Sequence, residues 1–141
     1  MAVELDYMEY TSDANAQAAY VSSDTTPASV VPLMTANNAP SPYVASASSE
    51  GGELAFNAFD RATGGVWTTA NGTLTGWLKF DLSAANAISI QRYKITSQNN
   101  TRSPKDWTFQ GSNNDIDWTT LDTQTGITTW GDDVVKTYDF T

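Results

Sequence analysis

Between residues 76 and 82 (GWLKFDL) large apolar and polar side chains alternate one for one. Trp77, Lys79 and Asp81 fall on one face, and Leu78, Phe80 and Leu82 on the other. A period of two is the mark of a strand with one buried face. The same pattern recurs at the end of the chain, in residues 134–140 (VVKTYDF). Residues 43–48 (YVASAS) alternate larger with smaller side chains. Residues 88–97 (ISIQRYKITS) begin with Ile88, Ile90 and Arg92 on one face. The phase then shifts to bring Tyr93 and Ile95 to the other, as at a bulge or twist. Residues 107–111 (WTFQG) and 118–121 (WTTL) predict two short strands joined by a turn at residues 112–115 (SNND). Within this part only residues 53–60 (ELAFNAFD) read as helical, with Phe56 and Phe59 one turn apart. Short strands punctuated by polar turns predict an antiparallel β-sandwich.

Residues 1–42 follow a different pattern and predict a leader. Residues 12–20 favour a short Ala-rich helix, with Ser12 or Asp13 able to cap its first amides. Residues 22–42 carry Pro27, Pro32, Pro40 and Pro42 and predict an extended linker. Within them, residues 29–34 (SVVPLM) are apolar enough to lie on a surface or to add a strand. Residues 43–141 then form the folded domain.

Composition narrows the function. The chain has 141 residues, which suits one domain with a real hydrophobic core. Its net charge of −9 disfavours nucleic acid and anionic lipid and favours neutral ligands or cations. There is no Cys and no His, so Ser–His–Asp and Cys–His catalysis are excluded and zinc hydrolysis is disfavoured. Hard, oxygen-ligated ions such as calcium stay open. Residues 1–20 lack a basic start and a continuous apolar run, so no secretory signal is visible. No apolar run reaches the roughly 20 residues of a membrane span, so membrane insertion is not expected. The carboxylate pairs Glu50 with Glu53, and Asp132 with Asp133, lie in loops without an apolar surrounding to raise an acid's pKa. The expectation is therefore a protein that is not an enzyme. Trp130 sits in a polar loop, residues 126–133 (GITTWGDD), and is expected to be exposed as a ligand platform.

Residues 43–140 resemble the discoidin, or coagulation factor type C, domains, which include the family 32 carbohydrate-binding modules. Ala55 to Asp60 is similar to the family's A-x-x-A-F-D-G turn, with Arg61 where glycine is usual. Thr63 and Trp67 stand where the family has T-x-W, here with three residues between them, residues 77–82 match W-L-x-x-D-L, and Tyr93 and Ile95 match Y-x-I. Residues 102–113 and Trp118 match R-x-P-x-x-W-x-x-x-G-S-N-D-G-x-x-W, with Asn114 and Asp115 where it has Asp and Gly. The resemblance implies a jelly-roll sandwich like the galactose-binding domains, with Trp67, Trp107 and Trp118 in its core. It implies ligand loops at residues 49–53, 68–75 and 98–102, with Glu50, Asn71, Gln98, Asn99, Asn100 and Arg102 facing sugar hydroxyls. The histidine that commonly binds sugar in the family is absent. The resemblance also implies a structural calcium site using Asp60 and Thr63. Family members continue for two more strands beyond the point matching Thr141. The expectation is a longer parent chain, a larger assembly with other copies, or residues 29–34 filling the gap by strand addition.

The function expected is carbohydrate binding or adhesion to a cell-surface glycan or polysaccharide. The setting is extracellular or the virion surface, as on a phage tail fibre, a decoration protein or a bacterial surface protein. The alternative is a structural subunit that uses the sandwich for protein–protein contacts, with strand exchange between copies.

Overall fold

The structure is a computed structural model that describes residues 2–4, 29–62, 66–83, 88–99 and 101–139, with the backbone alone for residues 2–4. The helix expected over residues 12–20 lies outside the described residues, as do Thr63 and Asn100. The described chain is all-β, with a single 3-10 turn. Its strands are β1 (Ala2–Glu4), β2 (Val44–Ala47), β3 (Leu78–Asp81), β4 (Arg92–Thr96), β5 (Trp107–Gly111), β6 (Thr119–Gln124) and β7 (Val135–Asp139). All pairings are antiparallel, in the groups β1-β4-β7, β2-β3 and β5-β6.

The alternation seen in the sequence sets which faces are buried. In β4, Tyr93 and Ile95 are buried while Arg92, Lys94 and Thr96 are only partly covered. In β3, Leu78 and Phe80 pack against the core, and Asp81 is exposed. The helical reading of residues 53–60 shortens to the 3-10 turn Ala55–Ala58, which buries Ala55 and Ala58. Asn57 closes that turn by accepting the Leu54 amide at 2.9 Å. Four residues are too few to sustain an α-helix, and the turn is held by what surrounds it.

Tyr93 is the centre of the core, only 1% exposed. Its ring stacks on Phe109 of β5 at 4.4 Å and on Tyr138 of β7 at 5.0 Å. Its hydroxyl donates to Asp122 Oδ2 of β6 at 2.6 Å and accepts from Trp107 Nε1 at 2.8 Å. One side chain thus ties the β4–β7 pair to the β5–β6 hairpin by ring contact and by hydrogen bond. Burial, and then the bond to Asp122, push the Tyr93 phenol well above its ordinary range. Desolvation pulls the Asp122 carboxyl upward. Hydrogen bonds from Tyr93, Gln124 and the Thr123 amide outweigh it and hold the group below the usual carboxylate range.

Three expectations are corrected here. Residues 29–34 add no strand, and of their apolar side chains Leu33 alone is exposed, at 52%. Val31 and Met34 are 2% and 1% exposed, and the Met34 amide donates to the Phe59 carbonyl at 3.2 Å. Their apolar run is core filling, and the edge of β4 is taken instead by β1, with Val3 opposite Ile95. Residues 35–42 are not an extended spacer either, because Thr35 and Ala36 donate to the Ala39 carbonyl in a tight turn. Lastly, Trp118 is 43% exposed rather than core. The β5–β6 register skips Leu121 between Phe109 and Gln110, and this bulge breaks the phase that would have carried the start of β6 inward.

A candidate ligand-binding rim

The candidate rim is built by two loops that fold into one unit, residues 48–53 after β2 and residues 67–77 before β3. Gly51 N donates to Thr68 O at 2.9 Å, and Ala70 N to Ser49 Oγ at 3.1 Å. The Ser48 amide donates to Trp77 O at 2.9 Å, and the Trp77 amide donates to Ser48 Oγ at 3.0 Å. The buried Trp67 indole forms the floor and donates to Ser49 O at 2.9 Å. Two glycines allow this approach. A Cβ at Gly51 would stand 2.3 Å from the Thr69 carbonyl oxygen, and one at Gly76 would stand 2.7 Å from Ser48 Oγ. Neither distance is tolerable for carbon, so the sequence has glycine where the two loops touch.

Trp77 stands at the edge of this unit, 55% exposed. The two loops carry Ser49, Thr68 and Thr69, half-buried, and Ser48, Asn71, Thr73 and Thr75, exposed. Leu74 projects from the tip, 98% exposed. From β3, Lys79 pairs with Asp115 of the β5–β6 loop at 2.6 Å. The unit thus carries a flat apolar ring together with hydroxyls, an amide and backbone groups. Such a set can stack on the C–H face of a sugar and hydrogen-bond its hydroxyls. Sequence reasoning does not select Trp77 as a ligand residue. Its signal is present all the same, since it shares the outward phase of β3 with Lys79 and Asp81.

The residues singled out from the sequence divide among three places. Asn71 lies on this rim, in an exposed turn closed by Thr73 N donating to Ala70 O at 2.9 Å. Glu50 lies beside it but works inward. Its Oε1 accepts the Ala55 amide at 2.8 Å and Asn37 Nδ2 at 3.2 Å, anchoring the 3-10 turn. The loop at residues 98–102 joins neither by any hydrogen bond among the described residues. Asn99 Oδ1 is occupied by the Thr101 amide and hydroxyl and the Arg102 amide, each at 3.0 Å. Its carbonyl accepts Ser103 Oγ at 2.6 Å, so Asn99 organises its own turn. Arg102 is exposed, and Gln98 is half-buried with its Oε1 enclosed and unpartnered among the described residues.

Trp130 is corrected outright. It is 6% exposed, donates its indole N–H to Pro104 O at 2.8 Å and lies 6.3 Å from the Trp107 ring. Lys136 covers it, with Nζ 5.0 Å from the ring centroid. A polar local sequence suggests exposure, but its partners come from distant segments.

The turn implied for calcium is held by the chain itself. Asp60 Oδ1 accepts the Ala62 amide at 2.9 Å, and Oδ2 accepts Asn57 Nδ2 at 3.3 Å. The Phe59 carbonyl is engaged by Met34. Arg61, at φ 55, sends its guanidinium to the Val31 carbonyl at 2.6 Å. No group of three acidic side chains gathers among the described residues. Thr63, the other residue implied for calcium, lies outside the described residues.

The chain matches no known family profile, no curated protein and no solved structure. Among the described residues no helix is long and apolar enough to cross a membrane.

Proposed function

We propose that the chain is a carbohydrate-binding module of the discoidin-like type, a β-sandwich that binds a glycan at its rim and performs no catalysis. The observation that carries the reading is Trp77, an exposed indole set on two polar loops joined by hydrogen bonds. The face-to-face arrangement is supported by Tyr93, whose ring and hydroxyl reach from β4 to β5 and β6. The absence of catalysis is supported by Glu50, whose carboxylate is committed to the backbone of the 3-10 turn. The acidic balance of −9 favours a neutral cell-surface glycan or polysaccharide over nucleic acid. An extracellular or virion-surface setting follows from that choice of ligand.

The test is a glycan array probed with wild type and Trp77→Ala. Wild type is expected to bind a subset of neutral glycans. Trp77→Ala is expected to lose roughly tenfold or more of that affinity, about 1.4 kcal/mol, with its thermal midpoint unchanged. Equal binding by both proteins contradicts the reading.

One observation favours a second reading, an assembly subunit. Leu74 and Ile116 are 98% and 79% exposed, more than a sugar platform requires. Light scattering that reports a stable oligomer, lost in Leu74→Ser/Ile116→Ser, supports assembly over glycan binding.

A further inference from the structure

The exposed turn at Ala70–Thr73 holds the single Asn-Gly step of the sequence, Asn71–Gly72. Gly72 has φ +81, the third position of a type II turn closed by Thr73 N donating to Ala70 O at 2.9 Å. Asn71 is exposed, and nothing lies within 4 Å of where a Gly72 Cβ would stand. Neither the Asn71 side chain nor the Gly72 amide makes a hydrogen bond among the described residues.

We propose that Asn71 is a self-modification site, at which the folded chain converts asparagine to aspartate and isoaspartate without any enzyme. The Gly72 amide nitrogen gives its proton to solvent base and attacks Cγ of Asn71. A C–N bond forms, the bond to the side-chain nitrogen breaks, and ammonia leaves carrying a proton from solvent. Water then opens the five-membered imide at either carbonyl. One opening leaves an ordinary aspartate at this position, and the other routes the backbone through the side chain as isoaspartate. The balance is one water in and one ammonia out, with no change of oxidation state. The reaction is intramolecular, so nucleophile and target are held at high effective concentration. Glycine leaves the nitrogen unhindered, as no other residue does.

The other asparagines with described side-chain partners are restrained. Asn37 holds Phe56 and Glu50, Asn57 holds Leu54 and Asp60, Asn99 holds Thr101 and Arg102, and Asn114 bonds Asp117. Each is followed by a residue whose Cβ crowds the attacking nitrogen. At Asn71 the ring closure needs rotation about the Cα–C bond, and the bonds that span this turn are the Thr73–Ala70 bond and its neighbour from Thr69 Oγ1 to Thr73 O. The event therefore needs local opening of one turn and leaves the core closed.

The full chain is incubated in mildly alkaline buffer, under native conditions and in urea, then digested and mapped by mass spectrometry with enzymatic detection of isoaspartate. Under native conditions the Asn71 peptide is expected to gain the mass of an amide-to-acid exchange, with isoaspartate the larger product, ahead of every other asparagine. Gly72→Ala is expected to slow it by roughly tenfold or more, because its Cβ hinders the nitrogen. If that variant misfolds, the order among the wild-type asparagines still decides. Conversion in urea alone, or earlier conversion at Asn114 or Asn99, overturns the proposal.

Discussion

Tyr93 uses both hydrogen-bonding positions of its hydroxyl, donating to Asp122 and accepting from Trp107. Tyr93→Phe leaves the ring stacks in place but strands the Trp107 indole and removes one donor from Asp122. It is expected to cost about 1–3 kcal/mol of stability near neutrality, read as a lower denaturation midpoint. The cost has a defined pH window. The Asp122 pKa is depressed on folding, so its contribution is present above the ordinary carboxylate value of about 4 and fades as pH falls below it. The Tyr93 pKa is raised, so its contribution is complete below about 10 and fades as pH rises beyond it. The gap between wild type and Tyr93→Phe is therefore expected to be widest between those limits. A gap independent of pH contradicts the pairing. Of the two, Tyr93 is legible as a buried strand residue, but its partner is not. Asp122 lies 29 positions away, and its role depends on a bulge that local sequence does not announce.

Among the elements, alternation is the dependable signal. It marks β3, β4 and β7 because each has one covered face and little else competing. It fails where a side chain's surroundings come from afar. Trp130 reads as a loop residue until Pro104, Trp107 and Lys136 close over it. Val31 and Met34 read as linker until the 3-10 turn supplies a surface for them. The strand β1 is three residues long and has no pattern to detect. The rim is legible in part. Its two loops and Asn71 are indicated, while Trp77 reads as framework. Gly51→Ala is expected to pry these loops apart, costing about 1–3 kcal/mol and weakening any ligand bound there, because the intruding Cβ meets a backbone oxygen at 2.3 Å. Isothermal calorimetry and thermal denaturation together read both effects. The Asp60 turn makes the opposite kind of prediction. Millimolar calcium or a chelator should leave the thermal midpoint unchanged, whereas Arg61→Ala should lower it by removing the bond to Val31.

The molecule as a whole combines a strongly acidic balance with few fixed charges. The ion pairs formed among the described residues are Lys79 with Asp115 and Arg92 with Asp139. The Arg92 guanidinium bonds the Asp139 carboxylate across β4 and β7 and holds it below the ordinary range. Lys79 is neutralised by Asp115, which leaves the hydroxyls, the indole and the exposed Asp81 on the outward face beside Trp77. On the proposed function, the indole and not the carboxylates around it is the surface on which a sugar stacks. The most direct measurement is a nitrogen–proton correlation spectrum of the tryptophan indoles during titration with glucose-, mannose- and galactose-based oligosaccharides. The account predicts that the Trp77 indole resonance shifts with saturation, while those of Trp67, Trp107 and Trp130, each bonded within the fold, stay in place. Saturable shifts at the bonded indoles with Trp77 unmoved, or no shift with any saccharide, would contradict it.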